Sequence, residues 1–225
     1  MTGLLRLPCT KARQPGAAGF SLVELLLALG LGVGLSALML QVLLLESDLG
    51  LRLNRQLRER KVQQRTLALL QADVLRASQI SSTPQLEAHA CGLSGRQPVL
   101  HLRTSAGPVT YSVGAAPSGI WRGQVLMRCG PAFDLEGQPS PGAVAQNRVV
   151  LDGLASTMPP WQGCEGLLGL QPGDAHDLGG SMRLAFSACL APHGLALAVR
   201  LMQEFDGPKG RVQRIGTERL ITRST

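Results

Sequence analysis

The chain has 225 residues, a formal net charge of +7 and an aromatic content of only 3%. This length allows one or two domains, and the scarcity of aromatic residues means that a core must rest on Leu, Val and Ala. The basic surplus is mild, which argues against a dedicated nucleic-acid-binding protein and leaves DNA as a weakly supported partner.

Residues 1–19 form a short basic leader with no acidic residue. Its charges are Arg6, Lys11 and Arg13, so the rest of the chain carries a net charge of only +4, since 22 − 3 basic residues face 15 acidic ones. Proline and glycine are frequent in the leader, which argues against a folded segment.

A continuous apolar run, Leu25–Leu45, follows the leader and contains no Lys, Arg or Pro. Its 21 residues are enough to cross the hydrocarbon core of a bilayer as one helix. Basic residues precede the run, whereas Glu46 and Asp48 follow it. The positive-inside rule therefore predicts a cytoplasmic leader and an exported remainder.

One acidic residue, Glu24, stands at the start of this apolar segment. An acid inside a spanning helix costs about 2.5–3.5 kcal/mol on translocon scales, so such a residue is a functional candidate. The alternative is that Glu24 lies near enough to the helix end to reach headgroup water.

The stretch Gly19-Phe20-Ser21-Leu22-Val23-Glu24, placed between the leader and the apolar run, resembles the class III leader of type IV prepilins and type II secretion pseudopilins. The resemblance implies that a prepilin peptidase cuts between Gly19 and Phe20 and methylates the new amino group of Phe20. It also implies that Glu24 neutralises the Phe20 amine of a neighbouring subunit in a filament.

Further implications of the resemblance concern location and partners. The chain would be a single-pass inner-membrane protein with a periplasmic head, later moved into a pilus or pseudopilus. Its partners would be the prepilin peptidase, other pilin or pseudopilin subunits, the inner-membrane assembly platform and membrane lipid.

The region from Ala17 to Thr83 lacks proline and is rich in good helix formers. It predicts one helix from about Phe20 to about Gln79, with residues 20–45 in the membrane or filament core and residues 46–80 as an amphipathic second half. The apolar stripes of that second half are Leu49, Leu53 and Leu57, then Leu67, Leu70 and Val74. The Arg-rich segment 52–65 is interpreted as a solvated helix face, with DNA or anionic lipid headgroups as the alternative partners.

Residues 81–225 predict an exported head made of short strands, and Ser81-Ser82-Thr83-Pro84 marks the end of the helix. A long irregular stretch, 155–180, interrupts the strands, and clear alternation from Leu195 to Leu201 favours an antiparallel meander. The expected fold is α+β and pilin-like, with the long helix packed on an antiparallel sheet. The strand candidates are Val99–Thr104, Val109–Val113, Ile120–Arg128, Arg148–Leu154, Met182–Leu190, Leu195–Gln203 and Val212–Thr222.

Four cysteines remain on the exported side: Cys91, Cys129, Cys164 and Cys189. They allow three disulfide connectivities, of which we prefer the neighbour pairing Cys91–Cys129 and Cys164–Cys189. Zinc is the rival interpretation, but the chain has no Cys-x-x-Cys pair, and His89-Ala90-Cys91 is the nearest histidine arrangement.

The sequence contains no nucleophile elbow, Walker loop or His-Glu-x-x-His motif, so we expect no catalytic residue, metal or cofactor. The histidines are scattered, with His101 read as an ordinary strand residue. Asp174-Ala175-His176-Asp177 is read as a polar loop and not as a calcium site, which needs six or more oxygens. Trp121 and Trp161 are read as core or rim aromatics.

Two loose matches favour a minor subunit over a major one. Residues 70–92, with Asp73, Arg76 and Cys91-Gly92, and residues 121–130, with Trp121-Arg122-Gly123 and Arg128, resemble PilW-type minor pilins and the related J-type pseudopilins. The competing function class is a membrane-anchored enzyme or binding protein whose head acts alone. Glu24 and the Gly19–Phe20 junction discriminate between these classes, because a simple anchor needs neither.

Overall fold

The computed structural model describes residue 19 and residues 21–81, 91–207 and 211–223, with the side chains of residues 45–49 and 51–52 left out. Phe20, the leader residues 1–18, His89 and most of the predicted helix stop at 81–84 therefore lie outside the described residues. One long helix precedes an antiparallel sheet, so the predicted α+β class is confirmed. The chain divides into two compact units, one ending at Leu51 and the other beginning at Arg52.

The long helix, α1, runs from Leu22 to Arg76. It begins where the Ser21 carbonyl accepts hydrogen bonds from the N–H groups of Glu24 and Leu25, at 3.0 and 3.2 Å. In the first unit every described side chain from residue 21 to residue 44 is exposed. None of these described side chains therefore contributes to a hydrophobic core.

In the second unit, α1 adds one apolar stripe to the core of the head. Leu67, Leu70 and Val74 are at most 1% exposed and follow the i, i+3, i+7 spacing of a buried helix face. Leu53 and Leu57 are more than half exposed, so the expectation that their stripe also packs against the head is wrong. Both leucines precede the first buried side chain among the described residues of α1.

Polar residues within the same buried face bond to the sheet. Gln63 Nε2 donates to the Ile215 carbonyl at 3.1 Å, and Gln63 Oε1 accepts from the Thr217 hydroxyl at 2.6 Å. Thr66 donates to the Val150 carbonyl at 2.9 Å. These bonds satisfy groups whose burial without partners would be unfavourable.

Within the described residues, nine strands form one sheet in which every pairing is antiparallel. Their order is β1-β2-β3-β4-β5-β8-β7-β6, and β9 pairs with β8. The strands are β1 Ala77–Ser81, β2 Gln97–Thr104, β3 Gly107–Ala115, β4 Gln124–Pro131, β5 Ala145–Leu154, β6 His176–Asp177, β7 Phe186–Leu190, β8 Ala196–Asp206 and β9 Val212–Thr222.

The predicted helix end is wrong by about three residues. Ala77–Ser81 leaves the helix and pairs with β2, with Ile80 opposite Leu102. Pairing with a strand whose partner residues lie 20 to 27 positions later in the sequence thus overrides local helix propensity.

Most strand boundaries differ from the predicted ones by a few residues, and three larger differences concern the segments described next. The strand predicted at Ile120–Arg128 begins only at Gln124, so Ile120–Arg122 lies outside the observed β4, and Ile120 is exposed. The residues before Phe186 form a 3₁₀ turn at Ser181–Arg183 instead of a strand. The stretch predicted to be irregular contains a short helix, α2 Cys164–Leu168, and strand β6.

The core rests on Leu, Val and Ala, as the composition predicts, and its large aromatic members are Tyr111 and Phe186. Their ring centroids lie 6.3 Å apart. A second, smaller cluster joins Trp161 and Ala198 to the disulfide Cys164–Cys189.

Candidate functional site

The N-terminal half of α1 is an unshielded apolar segment. Among the described residues, Leu22–Leu44 is the one helical stretch long and apolar enough to cross a membrane, and none of it is buried. At a rise of about 1.5 Å per residue it measures roughly 34 Å, which matches a hydrocarbon core of about 30 Å. Gly30 and Gly34 leave open space on this surface, so a second helix can approach closely.

Glu24 is the only charged residue in the sequence of this segment and lies in the first turn of α1. The positive end of the helix dipole favours a carboxylate there. Among the described residues no hydrogen bond or ion pair joins the Glu24 side chain to another group. Ser36, a polar neighbour on the same helix, instead bonds within it, from its hydroxyl to the Gly32 carbonyl at 2.8 Å.

The head contains a buried ionic cluster that links α1 to the sheet. Arg128 Nε donates to Asp73 Oδ2 at 2.7 Å, and Arg128 Nη2 donates to Asp73 Oδ1 at 3.2 Å. The hydroxyl of Tyr111 donates to Asp73 Oδ2 at 2.7 Å. Arg128 also lies 4.6 Å from the ring centroid of Phe133 and donates to the Pro131 carbonyl.

Charge states in this cluster follow from burial and from the ion pair. Burial and the neighbouring Asp73 carboxylate raise the pKa of Tyr111 well above 10.0, so the phenol is neutral. Burial lowers the pKa of Arg128, but the hydrogen bonds and charge of Asp73 outweigh it, and the net shift is upward. The cluster is therefore an arginine–carboxylate pair with a neutral phenol donor, which suits it to holding the helix in place.

A second ionic group lies nearer the surface. Arg122 bridges Glu59 of α1, at 3.1 Å, and Asp152 of β5, at 3.2 Å. Hydrogen bonds to Asp152 and then to Glu59 raise the pKa of Arg122. The bridge ties the loop before β4 to both the helix and the sheet.

The Arg-rich face of α1 is only partly solvated. Arg55 donates to the Asp206 carbonyl at 2.8 Å and lies 5.2 Å from the ring centroid of Phe205. This contact with the end of β8 gives Arg55 a structural role in the head, in addition to the solvated face that the sequence predicts.

The four cysteines of the head form two disulfides. Cys91–Cys129 ties the segment before β2 to β4, and Cys164–Cys189 ties α2 to β7. This is the neighbour pairing preferred from the sequence, and it uses all four thiols that zinc would need.

Other residues singled out in the sequence have structural contacts. His101 lies in β2, and its Nδ1 is 2.8 Å from the Thr110 hydroxyl. Asp177 accepts hydrogen bonds from the backbone N–H and hydroxyl of Ser181, which supports the 3₁₀ turn. Trp161 is buried, while Trp121 lies at the surface with 36% exposure. No group of metal-binding side chains occurs in the described ranges.

The sequence analysis named Asp73 and Arg128 only as parts of a loose resemblance and did not place them in contact. The sequence analysis also missed Tyr111. It is the only tyrosine of an aromatic-poor chain and lies inside a strand candidate, so the sequence offered a signal for it. Compared with family models, curated proteins and solved structures, the chain matches none of them.

Proposed function

We propose that this chain is a minor pilin, a structural subunit of a type IV pilus that acts in pilus initiation or at the tip. A prepilin peptidase cuts it between Gly19 and Phe20, and the N-terminal helix then joins the filament. The observation that carries the proposal is an exposed 23-residue apolar helix with Glu24 as its one charged residue, directly after that junction.

The physical argument concerns where such a helix is stable. Its apolar surface suits lipid before assembly and the packed helices of a filament afterwards. In either setting an unpaired carboxylate is unfavourable, whereas a carboxylate beside the Phe20 amine of the next subunit is compensated. A head built on the second half of the same helix, in a pilin-like arrangement, agrees with this use.

A type II secretion pseudopilin is the alternative, since it would use the same junction, helix and head. The identity of the neighbouring genes, as parts of a pilus or of a secretion machine, would distinguish the two. A stand-alone anchored binding protein is the further alternative, and it predicts no role for Glu24 beyond the membrane surface.

The experiment is mass analysis of the N-terminal peptide from membranes of cells that contain a prepilin peptidase. We expect a chain that starts at Phe20 with a methylated amine. Gly19→Val should leave the leader attached, whereas Gly3→Val, a matched glycine substitution inside the leader, should be processed normally. A mature chain that starts at Met1, or after Leu45, would refute the proposal.

A further inference from the structure

A surface cleft of about 740 Å³ lies on the head, on the side of the sheet away from α1. Arg128 reaches Asp73 of α1, so the alternating residue Met127, which lines the cleft, faces the opposite side. The volume is within the range of about 300–1,000 Å³ found for small-molecule sites. The described residues lining it include no acidic side chain; they are Ser94, Arg96, Ala115, Ala116, Pro117, Trp121, Met127, Asn147, Arg148 and Val149.

Arg96 is held at this cleft by its surroundings. Ser94 and Gly95 have positive φ angles of 48° and 75°, and the Arg96 N–H closes the turn by donating to the Leu93 carbonyl at 3.0 Å. The first carbons of Arg96 pack against Gly114, where an added Cβ would stand 2.7 Å from Arg96 Cγ. A glycine at 114 is therefore required for this position of the arginine.

The turn itself is anchored to neighbouring strands. Cys91 is bonded to Cys129 of β4, and Asn147 Nδ2 donates to the Gly92 carbonyl at 3.3 Å. Gly92 also accepts a long hydrogen bond, 3.4 Å, from Arg96 Nη2. A covalent bond and a side-chain contact thus fix the segment that carries Arg96.

The charge of Arg96 is unbalanced. The residue is 7% exposed, its Nε is buried without a hydrogen-bond partner, and within the described chain Arg96 forms no ion pair. A guanidinium carries five N–H donors, and burying a cation without a counter-charge is unfavourable. A ligand with a negative group would remove that imbalance.

We propose that this cleft binds a small organic anion, with a carboxylate or phosphate group at Arg96 and an apolar body against Trp121, Pro117 and Met127. Arginine suits this role because its planar fork binds carboxylate and phosphate through two parallel hydrogen bonds. The amide of Asn147 and the hydroxyl of Ser94 add neutral donors at the rim. The inference is independent of the minor-pilin proposal, since all these residues lie in the head.

Isothermal titration calorimetry on the full chain in a neutral detergent tests the site. Phenyl phosphate and benzoate are the phosphate and carboxylate probes, inorganic phosphate lacks the apolar body, and benzyl alcohol lacks the charge. We expect saturable binding of at least one aromatic anion, weaker binding of inorganic phosphate, and no binding of benzyl alcohol. Failure of both aromatic anions to bind, or equal binding of benzyl alcohol or inorganic phosphate, would overturn the proposal.

Variants locate the binding. Arg96→Gln should weaken binding about tenfold, the effect expected for a lost charge-assisted hydrogen bond. Trp121→Ala should weaken binding of the aromatic anions but not of inorganic phosphate, and it decides the question if Arg96→Gln does not fold. Arg103→Gln removes one exposed positive charge from β2 outside the cleft and should have no effect. An equal loss in Arg103→Gln would show that only net charge matters and would contradict the site.

Discussion

Asp73 of α1 and Arg128 of β4, 55 residues apart in sequence, form a two-bond ion pair in which both side chains are at most 4% exposed. The pair is directional, whereas the neighbouring contacts of Leu67 and Leu70 are apolar and tolerate small axial shifts. We infer that Asp73 and Arg128 fix the axial position of the helix on the sheet.

The first prediction concerns the removal of this charge. Asp73→Asn should lower the free energy of unfolding of the head by about 3 kcal/mol or more, because it leaves the Arg128 guanidinium buried and uncompensated. Chemical denaturation followed by near-UV circular dichroism measures the change.

The control is the exposed pair Arg214–Glu204, whose side chains are 46% and 27% exposed. Arg214→Gln should change the free energy of unfolding by less than about 1 kcal/mol. Similar small effects of both substitutions would show that Asp73 does not hold the helix.

The second prediction is an alkaline loss of stability through Tyr111. Its pKa is raised in the folded head, so the native state retains the phenol proton that the unfolded chain releases above about pH 10. The free energy of unfolding should therefore be unaffected by this group below pH 10 and should fall as the pH rises from there towards the folded pKa.

Tyr111→Phe supplies the comparison, since it is the only tyrosine in the chain. The variant should be less stable at neutral pH, having lost a hydrogen bond, but should lack this part of the alkaline decrease. Absorbance at the phenolate band of the wild-type chain gives a direct titration. Ionisation of Tyr111 near pH 10 without unfolding would contradict the prediction.

The third prediction concerns the disulfides. Removing Cys91–Cys129 by a double Cys→Ser substitution should lower the free energy of unfolding by about 2–4 kcal/mol. Cys9→Ser, which changes a leader residue, should have no effect on the head. Peptide mapping without reductant should recover Cys91 with Cys129 and Cys164 with Cys189, and four free thiols in exported material would contradict both the bridges and the export.

The fourth prediction separates assembly from folding. Glu24→Ala should leave processing, membrane insertion and disulfide formation near normal, because Glu24 lies in the helical half outside the head. The amount of subunit recovered in sheared filaments should fall, because the proposed minor pilin relies on this carboxylate to compensate the amine of the neighbouring subunit. Glu46→Ala removes an acid that follows the apolar run and serves as the control. Normal assembly of Glu24→Ala would support the headgroup explanation for this residue.

Features that depend on neighbouring residues could be predicted from the sequence. The apolar run is continuous in the sequence, and helical spacing is visible in the stripe formed by Leu67, Leu70 and Val74. Strand β9 begins and ends at the predicted residues, Val212 and Thr222. Each of these patterns is visible within a short window because periodicity repeats at 3.6 or 2 residues.

Apart from the two disulfides, contacts between distant residues could not be predicted. Ala77–Ser81 is a strand only because β2 is there to pair with it, and nothing in the spacing of Asp73 and Arg128 indicates that they meet. Helix α2 spans five residues, which is too short for a helical period to be visible. The cleft at Arg96 likewise combines side chains from separate strands and turns.

The contact of Arg223 with the start of the head has a consequence for the order of synthesis. Its guanidinium donates to the carbonyls of Ala77 and Ser78, which are about 145 residues earlier in the chain. Two glutamines of α1 likewise accept hydrogen bonds from β9: Gln63 from Thr217, and Gln71 from Arg219. A ribosome or translocon delivers the chain from its N-terminus, so the inner face of the helix emerges long before the strand that completes its surroundings. The head therefore reaches its final packing only after nearly all of its residues have been synthesised, and until then the inner face of the helix lacks the strand that covers it.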